Sequence, residues 1–552
     1  MLRPGRAGSA HGLGRRGSRV VLSAKHLGLP EMDAPRLLHT LGLSLQRLPA
    51  PLPVWHARTD ALGWAHVARA LADAGSLRPP RLVSMWGVDR HAGGAGHSAC
   101  VAYALAEGLL WLELPLRGEL PSFPDLSHHF PAAARMQRTM ADLSGLRAHG
   151  DADHRAWLQH GLWAGTPPLQ HGTAPAPTGT LPVDYPFVRV EGEGVHEIAV
   201  GPVHAGIIEP GHFRFSVVGE KVLRLEQHLG YTHKGIERRF TELAPLHAYR
   251  LAGRVSGDST VAYAWAYCMA LESAWTVTVP TRALCLRALM LERERVANHL
   301  GDLGALGNDA ALAFGLTQFS RLREDWQRLS GQHFGHRFMM DAVVPGGVAA
   351  DLSPGQCDAM RQQCDAVETD VRRLRQVYDE HAGLQDRFMT TGRVSPELAA
   401  QLGLTGLAGR ASGQAFDLRC DQPGAPYDTL QVNKAGSEGG DVAARVAVRF
   451  DEVFESLRLI RALCDGLPQG AVRSEPVPPA AGAIGAGWVE GWRGEVLVAL
   501  ELGADGRILR CHAHDPSWQN WPVLEHAIMG NIVPDFPLIN KSFNLSYSGH
   551  DL

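Results

Sequence analysis

A stretch rich in proline, glycine and threonine divides this sequence into two unequal parts. Residues 165–182 read GTPPLQHGTAPAPTGTLP and lack hydrophobic periodicity, which is typical of a linker between domains. A chain of 552 residues is also too long for one hydrophobic core. We therefore predict a leader at 1–35, a first domain at 36–165, a linker at 166–184 and a second domain at 185–552.

The leader is basic and has no acidic residue before Glu31. Its cations are Arg3, Arg6, Arg15, Arg16, Arg19 and Lys25. No compact apolar region precedes a cleavage site of small residues, so the pattern does not match a secretory signal. We expect a disordered leader, or an upstream-extended start codon, and no targeting signal.

Charge and hydropathy exclude two classes of function. A formal net charge of -4 provides no overall basic field that would attract nucleic acid. No run of about 18 apolar residues occurs, so we predict no membrane span, and attachment to a membrane would require a partner. The eight cysteines include no C-x-x-C pair, and we expect buried free thiols in a reducing compartment.

Hydrophobic patterns predict a small α/β domain followed by a larger, mainly helical one. In the first domain, apolar runs at 82–86 and 99–112 indicate strands or short helices, and 132–146 has helical spacing. In the second domain we predict strands at 188–203, 212–225 and within 484–510. Its predicted helices are 261–273, 281–300, 311–329, 354–384 and 442–465. The fold class is therefore α+β, with β-sheet at both ends of the helical domain.

Several long segments then carry a resemblance, in the same order along the chain. They include GPVHAGIIEPGHFRF at 201–215, HLGYTHKGIERRF at 228–240, RERVANHLGDLGALGND at 293–309 and NIVPDFPLINKSFNLSYSGHDL at 531–552. Residues 185–552 resemble the large subunit of group 4 nickel–iron hydrogenases, of hydrogenase-3 and hydrogenase-4 type. They also resemble the homologous quinone-site subunit of complex I.

The first domain is similar to a second complex I subunit. Its segment SFPDLSHHFPAAARMQRTMADLSGL, at 122–146, is similar to the signature of the small hydrophilic subunit beside the quinone-site subunit. Hydrogenase-3 and hydrogenase-4 large subunits carry these two domains fused in this order. The resemblance thus implies a fused C/D-type subunit.

The resemblance implies a metal pocket whose ligands have changed. The family holds its nickel–iron centre with four thiolates from R-x-C-G-x-C and D-P-C-x-x-C. This sequence has RVSGDS and DPSWQN instead, which places Ser256, Ser259, Ser517 and Asn520 at the ligand positions. A serine hydroxyl is a hard ligand that stays protonated at neutral pH, so it does not replace a thiolate. We predict no metal and no cofactor held by this chain, with a quinone as the one ligand left open.

The resemblance to complex I also implies a quinone-binding constellation. There a tyrosine and a histidine bind the headgroup, and an aspartate stands behind the histidine. Gly257 occupies the tyrosine position, Asp309 the aspartate position, and His204 or His212 the histidine position. Such a His–Asp pair can donate a proton to a reduced quinone oxygen. Two plainer alternatives stay open: Asp309 as a cap of the next helix, and His204 as a histidine satisfied within its loop.

Two further charged residues match family positions near the pocket. Glu237 matches a glutamate that can pass protons, but it could equally be a surface residue paired with the arginines that follow it. Arg254 could form a cationic lid over the emptied cavity, or a buried ion pair with Asp258 or Asp515.

Two functions follow from the resemblance. In the first, electrons from an iron–sulfur cluster on an adjacent small subunit reach a quinone-type acceptor and drive ion translocation by antiporter-like and quinone-channel-type membrane subunits. In the second, the chain is a non-catalytic scaffold or conformational relay. Both place it peripherally at the cytoplasmic face of the bacterial inner membrane. No Rossmann fingerprint indicates a nicotinamide site, and the family-like ending predicts no proteolytic trimming at the C-terminus.

Overall fold

The computed structural model describes residues 42–74, 79–90, 96–118, 121–163, 166–170, 185–204, 208–479 and 482–552. The predicted leader lies outside the described residues, and so does the predicted linker after residue 170. Within the described ranges, no helix is both long enough and apolar enough to cross a membrane.

The first part of the chain is built on a five-stranded sheet in the order β1-β2-β5-β4-β3. Its strands are β1 Gln46–Arg47, β2 Val54–Arg58, β3 Arg81–Asp89, β4 His97–Leu105 and β5 Gly108–Leu116. β2 and β5 run parallel and the other pairs antiparallel. The apolar run at 99–112 is therefore a hairpin. Gly108 has a φ of 137° there, and a β-carbon would clash with the carbonyl oxygen of Pro53.

Two helices cover this sheet, and a short parallel strand pair lies beside them. They are α1 Ala61–Ala72, α2 Ala133–Ser144, β6 Ser122–Pro124 and β7 Arg147–His149. The helix predicted at 132–146 is α2, which ends where Gly145 adopts the left-handed conformation. The predicted α/β character of the first domain is confirmed.

The second part opens with a three-stranded antiparallel sheet in the order β10-β9-β8. Its strands are β8 Val195–Val200, β9 His212–Val218 and β10 Lys221–His228. The single strand predicted at 212–225 is wrong, because the chain turns back after Val218 and forms a hairpin. Apolar alternation continues through the turn, so periodicity alone did not locate it.

Helices dominate the middle of the chain. The shorter ones are α3 Ile236–Phe240, α4 Tyr249–Ala252, α9 Ala382–Phe388, α10 Pro396–Leu402, α11 Gly406–Arg410, α12 Leu418–Asp421, α13 Tyr427–Leu430, α16 Phe536–Phe543 and α17 Tyr547–Asp551. The longer ones are α5 Thr260–Trp275, α6 Thr281–Asp309, α7 Ala313–Phe334, α8 Pro354–Glu380, α14 Val442–Asp465 and α15 Ser517–Ala527. Short strands β11 Val343–Val344 and β12 Gly347–Val348 pair between α7 and α8. The pattern at 354–384 breaks at His381, which caps α9.

A second antiparallel sheet packs directly on α5 and closes the core. Its strands, in order, are β13 Ile484–Glu490, β14 Glu495–Leu502 and β15 Ile508–His514. Every residue of α5 except Trp275 is buried. Gly485 and Gly487 in β13 permit this contact, because a β-carbon at either would clash with the backbone of α5. The α+β class predicted from the sequence is confirmed.

Candidate functional site: the former metal-ligand positions

The two segments that would supply metal ligands meet at the start of α5 and the start of α15. Ser256 has extended backbone and leads into a single 3₁₀ turn, Gly257–Ser259, from which α5 continues. Ser517 is the first residue of α15, and its backbone N–H donates to Asp515 at 2.8 Å. All four former ligand positions are at most 3% exposed, so their side chains are shielded from solvent.

The two serines before α5 are engaged by an ion pair. Ser256 Oγ donates to Asp258 Oδ1 at 2.8 Å and lies 2.9 Å from Ser546 Oγ, while Ser259 Oγ lies 3.4 Å from the same carboxylate. Both Nη atoms of Arg493 donate hydrogen bonds to the carboxylate of Asp258, at 2.7 and 2.5 Å. Burial would raise the pKa of Asp258, but the Arg493 guanidinium outweighs it and holds that pKa below its usual range. A cation thus lies beside the positions where thiolates would hold a metal.

The other two positions are satisfied by backbone groups. Ser517 Oγ accepts the N–H of Ser546 at 2.9 Å. Asn520 pairs with the backbone of Thr405 twice, accepting at Oδ1 (3.1 Å) and donating from Nδ2 (3.2 Å). Three hydroxyls and one amide, already hydrogen-bonded, are the wrong chemistry for a nickel–iron centre, so these residues do not fit it. Nor does the described part of the chain contain a group of three His, Cys, Asp or Glu side chains that could hold a metal ion.

The C-terminal segment connects the cluster of Ser256, Ser259, Ser517 and Asn520 to the loop between β8 and β9. Ser546 caps α17, where its Oγ accepts from the N–H of Gly549 at 2.8 Å. Two residues on, the N–H of Ser548 donates to Glu209 in the loop at 3.0 Å. Hydrogen bonds at Ser546 and Ser548, joined by the backbone between them, therefore connect the former ligand positions to the loop. Sequence reasoning missed Ser546, because nothing local marks a serine 290 residues from Ser256 as its partner.

The predicted His–Asp pair is not assembled in this structure. His204 Nε2 lies 3.0 Å from the carbonyl oxygen of Gly211, and His212 Nδ1 lies 3.3 Å from that of Gly201. Asp309 is exposed at the last residue of α6, and no hydrogen bond or ion pair among the described residues joins it to either histidine. It does not cap α7 either. Burial lowers the pKa of His212, which favours its neutral form.

Gly257, at the tyrosine position, is exposed like Asp309. A β-carbon built there meets no atom within 4 Å. The surface beside Asp258 is therefore open at this point, although the serines on either side are buried.

Glu237 is buried, so the alternative that places it on the surface is wrong. Its Oε1 lies 2.6 Å from His512 Nδ1 and 3.0 Å from Arg510. Burial alone would raise the pKa of Glu237, but these two partners lower it to about 2. His512 Nε2 in turn lies 2.7 Å from Ser84 Oγ, which belongs to the first part of the chain. These contacts among Glu237, His512 and Ser84 were not predicted, because the three residues come from distant segments of the chain.

We expect Glu237→Gln to remove part of the acid sensitivity of folding. The depressed pKa of Glu237 stabilises the folded state above its ordinary pKa, and this contribution is lost as the pH falls towards 2. Between about pH 7 and about pH 3 the wild-type free energy of unfolding should fall by about 2 kcal/mol more than that of the variant. Urea unfolding at both pH values measures this, with the exposed Glu242→Gln as control. Equal declines in Glu237→Gln and wild type would contradict the assignment.

Arg254 pairs with Asp341 at the surface, at 2.7 and 2.9 Å. The predicted ion pair with Asp258 or Asp515 is wrong. Asp258 instead pairs with Arg493, and Asp515 accepts from the hydroxyl of Tyr263 at 2.8 Å. Because RVSGDS lies in a turn, Arg254 points away from the side chains that line the pocket.

Comparison with known proteins identifies the family of this chain. The pattern of the respiratory-chain NADH dehydrogenase 49 Kd subunit matches residues 306–483, and that of the 30 Kd subunit matches residues 57–176. Formate hydrogenlyase subunit 5 of Escherichia coli (strain K12) is 30% identical over 439 residues, covering 78% of this chain and 77% of the relative. The chain belongs to the group 4 hydrogenase and complex I large-subunit family.

Two more members of this family match most of their own length. Hydrogenase-4 component G of Escherichia coli (strain K12) is 30% identical over 468 residues, which cover 83% of this chain and 81% of the relative. A chain of the membrane-bound sulfane sulfur reductase, an archaeal respiratory membrane complex, is similar in structure. It superposes with a TM-score of 0.61 at 25% identity, covering 65% of this chain and 99% of that one. Within the family, this chain is a hydrogenase-like large subunit.

Proposed function

We propose that this chain is the large subunit of a membrane-associated, complex I-related oxidoreductase, in which it acts as a conformational relay instead of a hydrogen-splitting centre. The observation that carries this proposal is the closed, hydrogen-bonded cluster at the four former ligand positions. Polar groups that are hydrogen-bonded hold their positions, and none of these four side chains offers the thiolate that a nickel–iron centre requires.

The cluster is connected on two sides, as a relay requires. Towards the β8–β9 loop it is linked through Ser546 and α17. Towards α6 it is linked through Arg493, whose Nε donates to the carbonyl oxygen of Asn544 at 2.6 Å. The side chain of Asn544 then donates to Asp302 in α6 at 2.7 Å. A displacement of α17 would therefore change contacts both at the β8–β9 loop and at α6, a buried helix of 29 residues.

In the working complex, the relay would stand between electron transfer and ion movement. By analogy with formate hydrogenlyase and the archaeal respiratory membrane complex, we place it peripherally at the cytoplasmic face of the bacterial inner membrane. Electrons would come from an iron–sulfur cluster on an adjacent small subunit. Antiporter-like and quinone-channel-type membrane subunits would translocate the ions.

A second candidate function is reduction of a quinone-type acceptor by this subunit. The open surface at Gly257 favours it, because an acceptor could approach the cluster there without displacing a buried side chain. Against it stands the unassembled His–Asp pair. The two candidates differ in what they require: the relay needs Ser546, and acceptor reduction needs space at Gly257.

Ser546→Ala in the assembled complex tests the relay. The variant loses the contact with Ser256 Oγ and the cap of α17, but no charge. We expect assembly and electron transfer to be kept, while ions translocated per electron fall roughly five-fold, at the lower end of usual coupling free energies. Reconstituted vesicles allow both rates to be measured, and the exposed Ser44→Ala is the matched control. An unchanged ion-to-electron ratio would refute the relay.

Gly257→Phe separates the second candidate from the first. The added ring has room at the surface, so folding and assembly should be unaffected. If this subunit reduces the acceptor, Gly257→Phe should block acceptor reduction, and His204→Ala or Asp309→Asn should impair it with assembly intact. If it is a relay only, all three variants should reduce the acceptor at the wild-type rate.

A further inference from the structure

An apolar cavity lies away from the former ligand positions, where the two parts of the chain meet. It encloses about 130 Å³ between α5, α6, β13 and the segment before β2. Its walls include Leu52, Trp265, Met269, Leu284, Tyr427 and Trp488. A partly open cavity of this size, lined mainly by apolar side chains, can accommodate one aromatic ring, and ligand sites are frequent at domain contacts.

Two hydrogen-bond donors on the wall have no partner. Trp265 Nε1 and Ser273 Oγ are both buried, and neither makes a hydrogen bond within the described part of the chain. Buried donors in folded proteins are nearly always satisfied, so two orphans beside one cavity call for an acceptor inside it.

The charged groups around the cavity require no charged ligand. Arg287 holds Glu272 with two hydrogen bonds, at 2.9 and 2.6 Å. Arg419 is paired with Glu292, and Glu490 with Arg410. Because these charges are mutually compensated, an ion entering the cavity would lose its hydration and gain no free counter-charge.

We propose that this cavity is a binding site for a small, flat, neutral molecule, an aromatic ring bearing one carbonyl oxygen. The ring would pack among Trp265, Trp488 and Tyr427, and its carbonyl would accept from Trp265 Nε1. This site is separate from the relay, since none of these residues belongs to the cluster around Ser256.

Acetophenone is the probe for this site, with the purified full-length chain as receptor. Ligand-observed NMR should show saturable binding at millimolar concentration or below. Val277→Trp, at the cavity wall, should abolish it by filling the space. The same substitution at the exposed Val477 should leave binding unchanged. Absence of saturable binding to the wild type, or undiminished binding to Val277→Trp, would overturn the proposal.

A second pair of measurements addresses the carbonyl and does not depend on blocking the cavity. Trp265→Phe keeps an aromatic ring at the wall but removes the indole N–H together with part of the ring. Ethylbenzene, which has the ring and no acceptor, measures the effect of the lost ring volume alone. Acetophenone should be weakened roughly five-fold more than ethylbenzene, the scale of one neutral hydrogen bond. Equal weakening of both probes would overturn the assignment of Trp265 as the donor.

Discussion

Replacing Arg410 with methionine is expected to lower the free energy of unfolding by about 3–5 kcal/mol. Arg410 is fully buried and donates to two carboxylates, from Nε to Glu452 at 2.9 Å and from Nη1 to Glu490 at 2.8 Å. Both carboxylates are at most 3% exposed. Methionine fills a similar volume but leaves two buried negative groups without their shared cation, which is the costly way to break such a network.

The penalty should depend on pH. Burial raises the pKa of Glu490 to about 7, and the Arg410 guanidinium is the main group opposing this rise. Without Arg410 the carboxyl should bind its proton more tightly and become neutral. The loss of unfolding free energy should therefore be larger at about pH 8 than at about pH 6. Urea unfolding at the two pH values measures it.

Arg328→Met is the matched control for this variant. Arg328 also pairs with a glutamate, Glu324, at 2.9 Å, but it does so on an exposed helix surface. Its loss should cost at most about 0.5 kcal/mol. If Arg410→Met and Arg328→Met were destabilised alike, the buried network would not be a source of stability.

The second large effect is expected at the former metal pocket itself. Arg493→Met should lower the free energy of unfolding by about 3 kcal/mol, because it removes hydrogen bonds to a carboxylate and to a backbone carbonyl. Asp258 is only half-buried, so water compensates part of the loss and the effect stays below that of Arg410. Ser256 and Ser259 would also lose the ion pair around which they are arranged.

Arg254→Met is the control that the sequence itself suggests. The side chain of Arg254 is 44% exposed and that of its partner Asp341 is 36% exposed. We therefore expect Arg254→Met to lower the free energy of unfolding by at most about 1 kcal/mol. Comparing the two arginines by denaturant unfolding identifies which cation organises the site. A larger loss for Arg254 than for Arg493 would contradict the geometry described above.

The replaced ligands and the polar cluster belong to one physical change. Four thiolates bring negative charge that only metal ions compensate, whereas serine and asparagine are neutral and can satisfy one another and nearby backbone groups. The cluster accordingly uses Ser546 and Thr405 as partners for Ser517 and Asn520. Neutral side chains that satisfy one another are thus compatible with the family fold at these four positions.

The family and part of the secondary structure could be predicted from the sequence alone. The motifs between 201 and 552 identified the family, and apolar spacing predicted helix Val442–Asp465 at its observed bounds. The replacement of the metal ligands stays a prediction from the sequence, because it depends on residue type at positions matched by resemblance. These features are local, so neighbouring residues contain the necessary information.

Only the tertiary structure decided which groups meet. His512 reaches Glu237 from 275 residues away, and Arg493 reaches Asp258 from 235 residues away. From the sequence, Glu237 and Arg254 looked equally able to line the pocket. Packing buried the first and left the second at the surface. A charged side chain has no local signal for its partner, because the free energy of an ion pair depends on distance and burial, which are set by how the helices and sheets pack.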